Sequence, residues 1–188
     1  DEIHQDFIYE GYKHIPFAMI KPEFEANTIT CTSPSKTFNL AGLQLSNIIV
    51  SDKETRKKIQ VEIDKTGYDE PNTLGMVACQ AAYAHGEEWL IELNQYLSEN
   101  LAYIREFLKE RLPQIKLVEP EGTYLIWLDF SDSGYTEEEI NHKIIREAKL
   151  WLDHGTMFGE EGMYFQRINI AAPKSIIEQA MLALEKAF

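Results

Sequence analysis

"TSPSKTFNLAG" (residues 32–42) sets one lysine between a Ser-Pro-Ser turn and a mostly apolar run. Just before it, "NTITCTS" (27–33) is β-branched and stops at Ser-Pro, so a strand is expected to end near Cys31. Lys36 then follows a strand end, the place where open α/β sheets put their sites. Ser33 and Ser35 flank it and Thr37 follows, and hydroxyls with backbone N–H groups suit a phosphate. The apolar "FNLAGLQL" holds the loop against a core. An amine partly withdrawn from water there favours its neutral, nucleophilic form. Against this stands the ordinary lysine in a surface turn.

Other candidates come from the two ends of the chain. Asp1 and His4, three apart in "DEIHQDF", could offer a carboxylate to a ring nitrogen and a donor to a phenolic oxygen. In "FQRINIAA" (165–172) strand alternation puts Arg167, Asn169 and Ala171 on one side and Ile168 and Ile170 on the other. Such an arginine is partly buried and needs an anion, best a carboxylate met by its planar fork. A ligand carboxylate and an internal salt bridge satisfy that need equally well. Ser33-Pro-Ser-Lys36 and Lys65-Thr-Gly67 match the S-x-x-K and K-T-G signatures of serine acylases. That reading fails, because the middle motif has Lys53 where Asn is required and no room is left for an intervening helical domain. None of the five histidines is spaced with another His or Cys as a metal pair would be, so no metal site is argued.

Composition bounds the rest. The 188 residues carry 18 Lys plus Arg against 31 Asp plus Glu, a formal charge of −13. Nucleic acid is a poor partner for such a surface. No long uncharged apolar run suggests a membrane span, and the chain reads as a soluble cytoplasmic protein with two buried thiols. The pattern predicts a fully buried strand at 47–51 and a helix over 52–65 opened by a Ser51–Glu54 capping box. A break at 69–72 and a small-residue helix packed on several sides follow. The clearest element is a helix over 87–112, about 40 Å long, with Leu90, Leu93, Leu97, Leu101, Ile104 and Leu108 on one stripe. Strands are expected at 115–119, 123–130 and 165–172. Capping boxes at Thr136–Glu139 and Ser175–Glu178 should open two further helices, the first reaching about Lys149. Residues 1–86 and 87–188 read as two domains, the second a small α+β lobe entered by the long helix. A chain that opens on Asp1 inside an element reads as the back part of something longer.

Taken together, "SPSKTFNLAGLQLS", "DEIHQDF", "NTLGMVACQAAYAHGEEWLIELNQYLSEN", "EGTYLIWLDF" and "RINIAAPKSIIEQAM" resemble fold-type I pyridoxal-phosphate enzymes, the aminotransferase class I/II family. They are most similar to its MalY/PatB-type cystathionine β-lyase, or C–S lyase, branch. The resemblance implies an α/β fold: the C-terminal part of the PLP-dependent transferase fold, with a remnant of the large α/β domain and a small α+β domain. It implies pyridoxal 5'-phosphate as cofactor, with Lys36 the catalytic lysine that joins it covalently. Asp1 would meet the pyridine N–H, His4 the phenolic oxygen, Ser33 and Ser35 the phosphate, and Arg167 the substrate α-carboxylate. The activity implied for the full-length parent, of which this chain would be a fragment, is α,β-elimination from a small amino-acid substrate to thiol, pyruvate and ammonia, in a homodimer. An aminotransferase on the same scaffold is the rival reading, and for the 188 residues by themselves a non-catalytic folded remnant is the reading of another class. Two residues depart from classical members. Gln44 stands where they carry a phosphate-binding arginine, as is usual in the lyase branch, and Tyr164 stands where relatives often have glycine.

Overall fold

A computed structural model describes residues 1–68 and 70–188. The chain divides into two compact units, Asp1–Leu93 and Asn94–Phe188.

The first unit contains α1 (Pro22–Glu25), β1 (Ile29–Thr32), α2 (Pro34–Thr37), β2 (Asn47–Val50), α3 (Lys53–Thr66), α4 (Thr73–His85) and the start of α5 (Glu87–Arg111). β1 and β2 form an antiparallel pair that sets Cys31 opposite Ile48. The expected strand at 47–51 is present but not fully buried: Ile48 is 46% and Ile49 55% exposed, because a two-stranded ribbon has no second layer on both faces. α3 is capped by Asp52, whose carboxylate accepts from Thr55 N–H at 2.7 Å, and not by Ser51, whose hydroxyl donates to Glu25. These backbone and side-chain hydrogen bonds with Thr55 hold the Asp52 carboxyl below its usual value. Gly67 ends α3 in the left-handed conformation, φ 70°. The break expected at 69–72 includes Asp69, outside the described residues. After it the Asn72 side chain accepts from Leu74 N–H and opens α4. Composition predicts α4 packed on several sides, yet only Gly75 and Cys79 are buried on it, while Leu74, Met76, Val77 and Tyr83 are exposed. An apolar composition sets what a helix can bury, not how many neighbours it finds.

The second unit takes the rest of α5, then β3 (Lys116–Val118), β4 (Leu125–Asp129), α6 (Glu137–His142), β5 (Asp153–His154), β6 (Phe165–Asn169) and α7 (Lys174–Ala187). Its four strands form an antiparallel sheet in the order β3-β4-β6-β5. Ile126, Leu128, Gln166 and Ile168 alternate onto one face and are buried. The α5 stripe of Leu97, Leu101, Ile104 and Leu108 is buried too, as are Ile140, Ile144, Ile177, Met181 and Leu184 from the later helical segments. Asn100, fully buried, donates from Nδ2 to the carbonyls of Ile170 (3.0 Å) and Ala172 (3.1 Å), so α5 holds the exit of β6.

The Thr136–Glu139 capping box is present in both directions. The helix it opens widens into a π-turn over Lys143–Glu147, where Ala148 N–H reaches back to the Lys143 carbonyl. At α7 the expected Ser175–Glu178 box is absent. The helix begins after Pro173, and the Lys174 N–H is taken by the Tyr96 hydroxyl at 2.6 Å. A partner distant in sequence therefore satisfies the first free N–H of the helix.

Candidate active site

In the first unit, the Ser33 hydroxyl accepts from Ser35 N–H at 3.1 Å, caps the single turn of α2, and donates its own proton to the Leu45 carbonyl at 2.7 Å. Thr37, buried, donates to the Asp6 carboxylate at 2.7 Å. Phe38 meets the Tyr83 ring edge-on and tilts against Trp89, each with centroids 5.9 Å apart. Its ring lies so close to Gly86, between α4 and α5, that a Cβ there would collide with it. The flanks of Lys36 are pinned on every side, and Lys36 itself is exposed, its ammonium without a hydrogen bond or ion pair among the described residues. The desolvated lysine expected from sequence is not what this unit builds. It builds an exposed amine on a turn held by hydrogen bonds and ring contacts.

Asp1 and His4 belong to the same region. Glu2 N–H donates to the Cys31 carbonyl at 2.8 Å, so the first residues run beside β1. The Asp1 carboxylate is exposed and accepts Ile3 N–H at 3.1 Å through Oδ1. The His4 ring tilts toward buried Phe7, centroids 6.1 Å apart. Sequence reasoning missed Asp6, Phe38 and Gly86. The small residue between two helices at Gly86 was the one visible signal. Gln44 is exposed and takes the left-handed conformation, φ 51°, at the end of a 3-10 turn. Cys31 and Cys79 are both free thiols; Cys79 is buried and Cys31 partly exposed.

In the second unit, Arg167 is half-buried on β6 with Ile168 and Ile170 buried on the opposite side, as the alternation predicts. The Asp153 carboxylate accepts from its Nε–H at 3.0 Å and its Nη2–H at 2.7 Å. The guanidinium lies 4.5 Å from the Phe158 ring centroid, a cation–π distance. Burial pushes the nearby Tyr124 hydroxyl up from its ordinary value, while the charge of Arg167 acts in the other direction. Sequence reasoning did not find Asp153, which sits on a two-residue strand too short to announce itself.

The model of the family described as aminotransferase class I and II matches residues 1–184. The chain belongs to that family. Among its relatives, the cystathionine β-lyase PatB of Bacillus subtilis (strain 168) is 37% identical over 187 residues, covering all of this chain and 48% of the relative. The crystal structure of cystalysin from Treponema denticola, which contains a pyridoxal 5'-phosphate cofactor, matches with a TM-score of 0.94 at 37% identity, over all of this chain and 48% of that one. The PLP-bound C–S lyase from Staphylococcus hominis matches with a TM-score of 0.88 at 35% identity, over all of this chain and 47% of that one. The α/β architecture is thus that of the PLP-dependent aminotransferase fold, and the chain spans about half the length of the curated relatives it matches. No helix among the described residues is long and apolar enough to cross a membrane, and none of their His, Cys, Asp and Glu side chains cluster as a metal site would need.

Proposed function

We propose that this chain carries the reactive lysine and the carboxylate-binding arginine of a pyridoxal-phosphate-dependent carbon–sulfur β-lyase acting on small β-thio amino acids of the cystathionine kind. The observation that carries the reading is Lys36, an exposed and unpartnered amine on a pinned backbone, in a chain similar along its whole length to a cystathionine β-lyase. The residues fit the cofactor's needs: a free amine, the hydroxyl of Ser35, an exposed carboxylate at Asp1 and the ring of His4. Ser33 would contribute to the phosphate site only after its proton leaves the Leu45 carbonyl.

When bound, pyridoxal phosphate supplies an electron sink for the bond being broken at the substrate's Cα. Lys36 would hold the group covalently and then take the Cα proton as a general base. Asp1 would keep a proton on the ring nitrogen, and His4 would donate toward the phenolic oxygen. Arg167 would fix the substrate α-carboxylate, so that the Cα–H bond keeps one orientation. Departure of the β-thiolate, followed by hydrolysis of the released enamine by water, would give thiol, pyruvate and ammonia as products. The enzyme would act as a homodimer in the cytoplasm, where free thiols such as Cys31 and Cys79 persist.

Transamination to a 2-oxo acid is the second reading, favoured by the family to which the chain belongs. Both begin with loss of the same Cα proton. The test is to add pyridoxal phosphate, reduce with borohydride and map the modified peptide, then assay pyruvate release from cystathionine with and without an added 2-oxo acid. Label on Lys36 with acceptor-independent pyruvate is expected. Label elsewhere would overturn the assignment of Lys36, and acceptor-dependent turnover would favour the aminotransferase.

A further inference from the structure

The second unit's sheet sets four residues in one lateral row: Val118 beside Trp127, Trp127 beside Arg167, and Arg167 beside Asp153. Residues paired across strands project to the same face. The opposite face is the buried one, carrying Ile126 and Ile168. Arg167 therefore lies on the sheet face opposite that buried layer, with its side chain 26% exposed.

The way Asp153 engages Arg167 is specific. Nε–H and Nη2–H, which together form one side of the guanidinium, both go to a single carboxylate oxygen, Oδ2. Elsewhere in the unit, Arg105 commits the same side to both oxygens of Glu119, at 2.8 Å each. Among the described residues the other edge of Arg167, made by Nη1 and the outer N–H of Nη2, has no hydrogen bond. That edge is a planar fork of the width a carboxylate matches with two bonds.

The face of the guanidinium is fixed as well. Phe158 lies beneath it, and Phe158 stands edge-on to Trp127 at 5.2 Å. The loop that carries Phe158 is pinched at its base, where Gly155 and Gly162 approach so closely that a Cβ on either would collide with the other's carbonyl. Asp153 holds one side, Phe158 holds the face, and the fork edge is left over.

We propose that Asp153 is a positioning residue for carboxylate recognition: by holding the Nε side of Arg167 over Phe158, it presents the free fork edge to the α-carboxylate of an amino-acid substrate. The proposal rests on the reading of Arg167 as the substrate-carboxylate residue. Its opposite is a carboxylate that occupies Arg167 and must be displaced, and the two differ in sign.

The test uses the cofactor-loaded enzyme with Asp153→Ala, Asp153→Asn and Arg167→Ala. The probes are L-alanine and ethylamine, which differ by the carboxylate, and binding is read from the cofactor's absorption. A second readout needs no cofactor chemistry: the Nε–H signal of Arg167 in the NMR spectrum of protein labelled at arginine. Expected for Asp153→Ala are L-alanine binding weakened about tenfold, unchanged ethylamine binding, loss of the shifted Nε–H signal, and a KM for the lyase substrate that rises more than kcat falls. Asp153→Asn, which keeps an acceptor oxygen, should restore most of each and guards against misfolding. Unchanged or tighter L-alanine binding in both Asp153 variants overturns the proposal, as does equal weakening for L-alanine and ethylamine. If Arg167→Ala weakens L-alanine binding while the Asp153 variants do not, only this proposal falls. If Arg167→Ala itself leaves L-alanine binding unchanged, the carboxylate role of Arg167 falls with it.

Discussion

The two units distribute their apolar residues differently. Asn94–Phe188 closes over its own interior: Ile104, Leu128, Phe130, Ile140, Ile144, Ile170, Met181 and Leu184 are fully buried. In Asp1–Leu93 the buried hydrophobic side chains are Phe7, Val50 and Cys79, while Ile15, Phe17, Met19, Ile49, Leu74, Val77 and Ile91 are all more than half exposed. Burial is the main favourable term in folding and must offset the entropy of ordering the chain. The second unit has the means to do so from its own residues; the first orders its lysine loop with hydrogen bonds and a few rings. Within this chain the lysine loop and the larger apolar core lie in different units, so changes near Lys36 and changes near Phe130 should read out in different measurements.

The largest effect expected is on chemistry in the first unit. Lys36→Ala in the cofactor-loaded enzyme should lower kcat by about a thousandfold or more, because one amine both joins the cofactor and moves the proton. Being exposed, it should leave the melting temperature nearly unchanged. A large drop in melting temperature would break the separation between the units.

Next is packing. Phe130→Ala removes a fully buried ring that also meets Phe188 at 5.1 Å, and should cost about 3–5 kcal/mol in urea unfolding. Ile49→Ala, half exposed on β2, should cost under about 1 kcal/mol. Hydrogen exchange should agree, with slow amides across 115–188 and fast amides across 1–50. Equal costs, or uniform protection, would erase the contrast.

Helix caps give a smaller effect. Thr136→Ala should cost about 1 kcal/mol, since it removes half of a reciprocal cap in the well-packed unit. The pH dependence has a definite sign. Hydrogen bonds with Thr136 hold Glu139 below its ordinary value, and those with Thr55 do the same for Asp52. A carboxyl whose folded value is depressed contributes stability that is present above its unfolded value and lost as pH falls through the folded one. Acid titration followed by NMR should show Asp52 and Glu139 protonating below ordinary carboxyls, with α3 fraying locally while α6 stays ordered. Simultaneous loss of both helices would mean that the units unfold as one.

The smallest expected effect is a gain. Tyr164 sits at φ 70°, a conformation that costs a residue with a Cβ about 1–2 kcal/mol, and its carbonyl accepts from Phe130 N–H. Tyr164→Gly should raise stability by about 0.5 kcal/mol once the entropy lost on fixing glycine is set against that strain. A loss instead would show that the tyrosine ring contributes more than its backbone costs.

Elements with a strong period of their own are legible in the sequence. The long helix, the strands at 29–32, 125–129 and 165–169, and the Thr136 box each follow from residues adjacent in the chain. What sequence misses depends on residues far apart. Tyr96 accepts from the first N–H of α7 across 78 positions, and no local pattern marks β5, whose two residues gain meaning only by pairing with β6. The lysine loop is legible from its turn and its strand end. Its exposure is not, because whether an amine is desolvated depends on what covers it. Arg167 and its need for an anion are visible in the alternation, and only the pairing register names the anion as Asp153.

The amide of Asn100 has a consequence for the order in which the second unit assembles. Its two hydrogen bonds join positions 70 and 72 residues apart in the chain, and the Tyr96 cap joins positions 78 apart. Closing a loop of that length costs on the order of 4 kcal/mol in chain entropy, incurred before the contacts that offset it exist. β6 and α7 are therefore expected to join after α5 and the β3–β4 hairpin have offered them a surface, an order that protection of their amides later than those of α5 during refolding would check. Arg167 rides on that strand, so in this order its place in the sheet is set only once β4 is there to receive it.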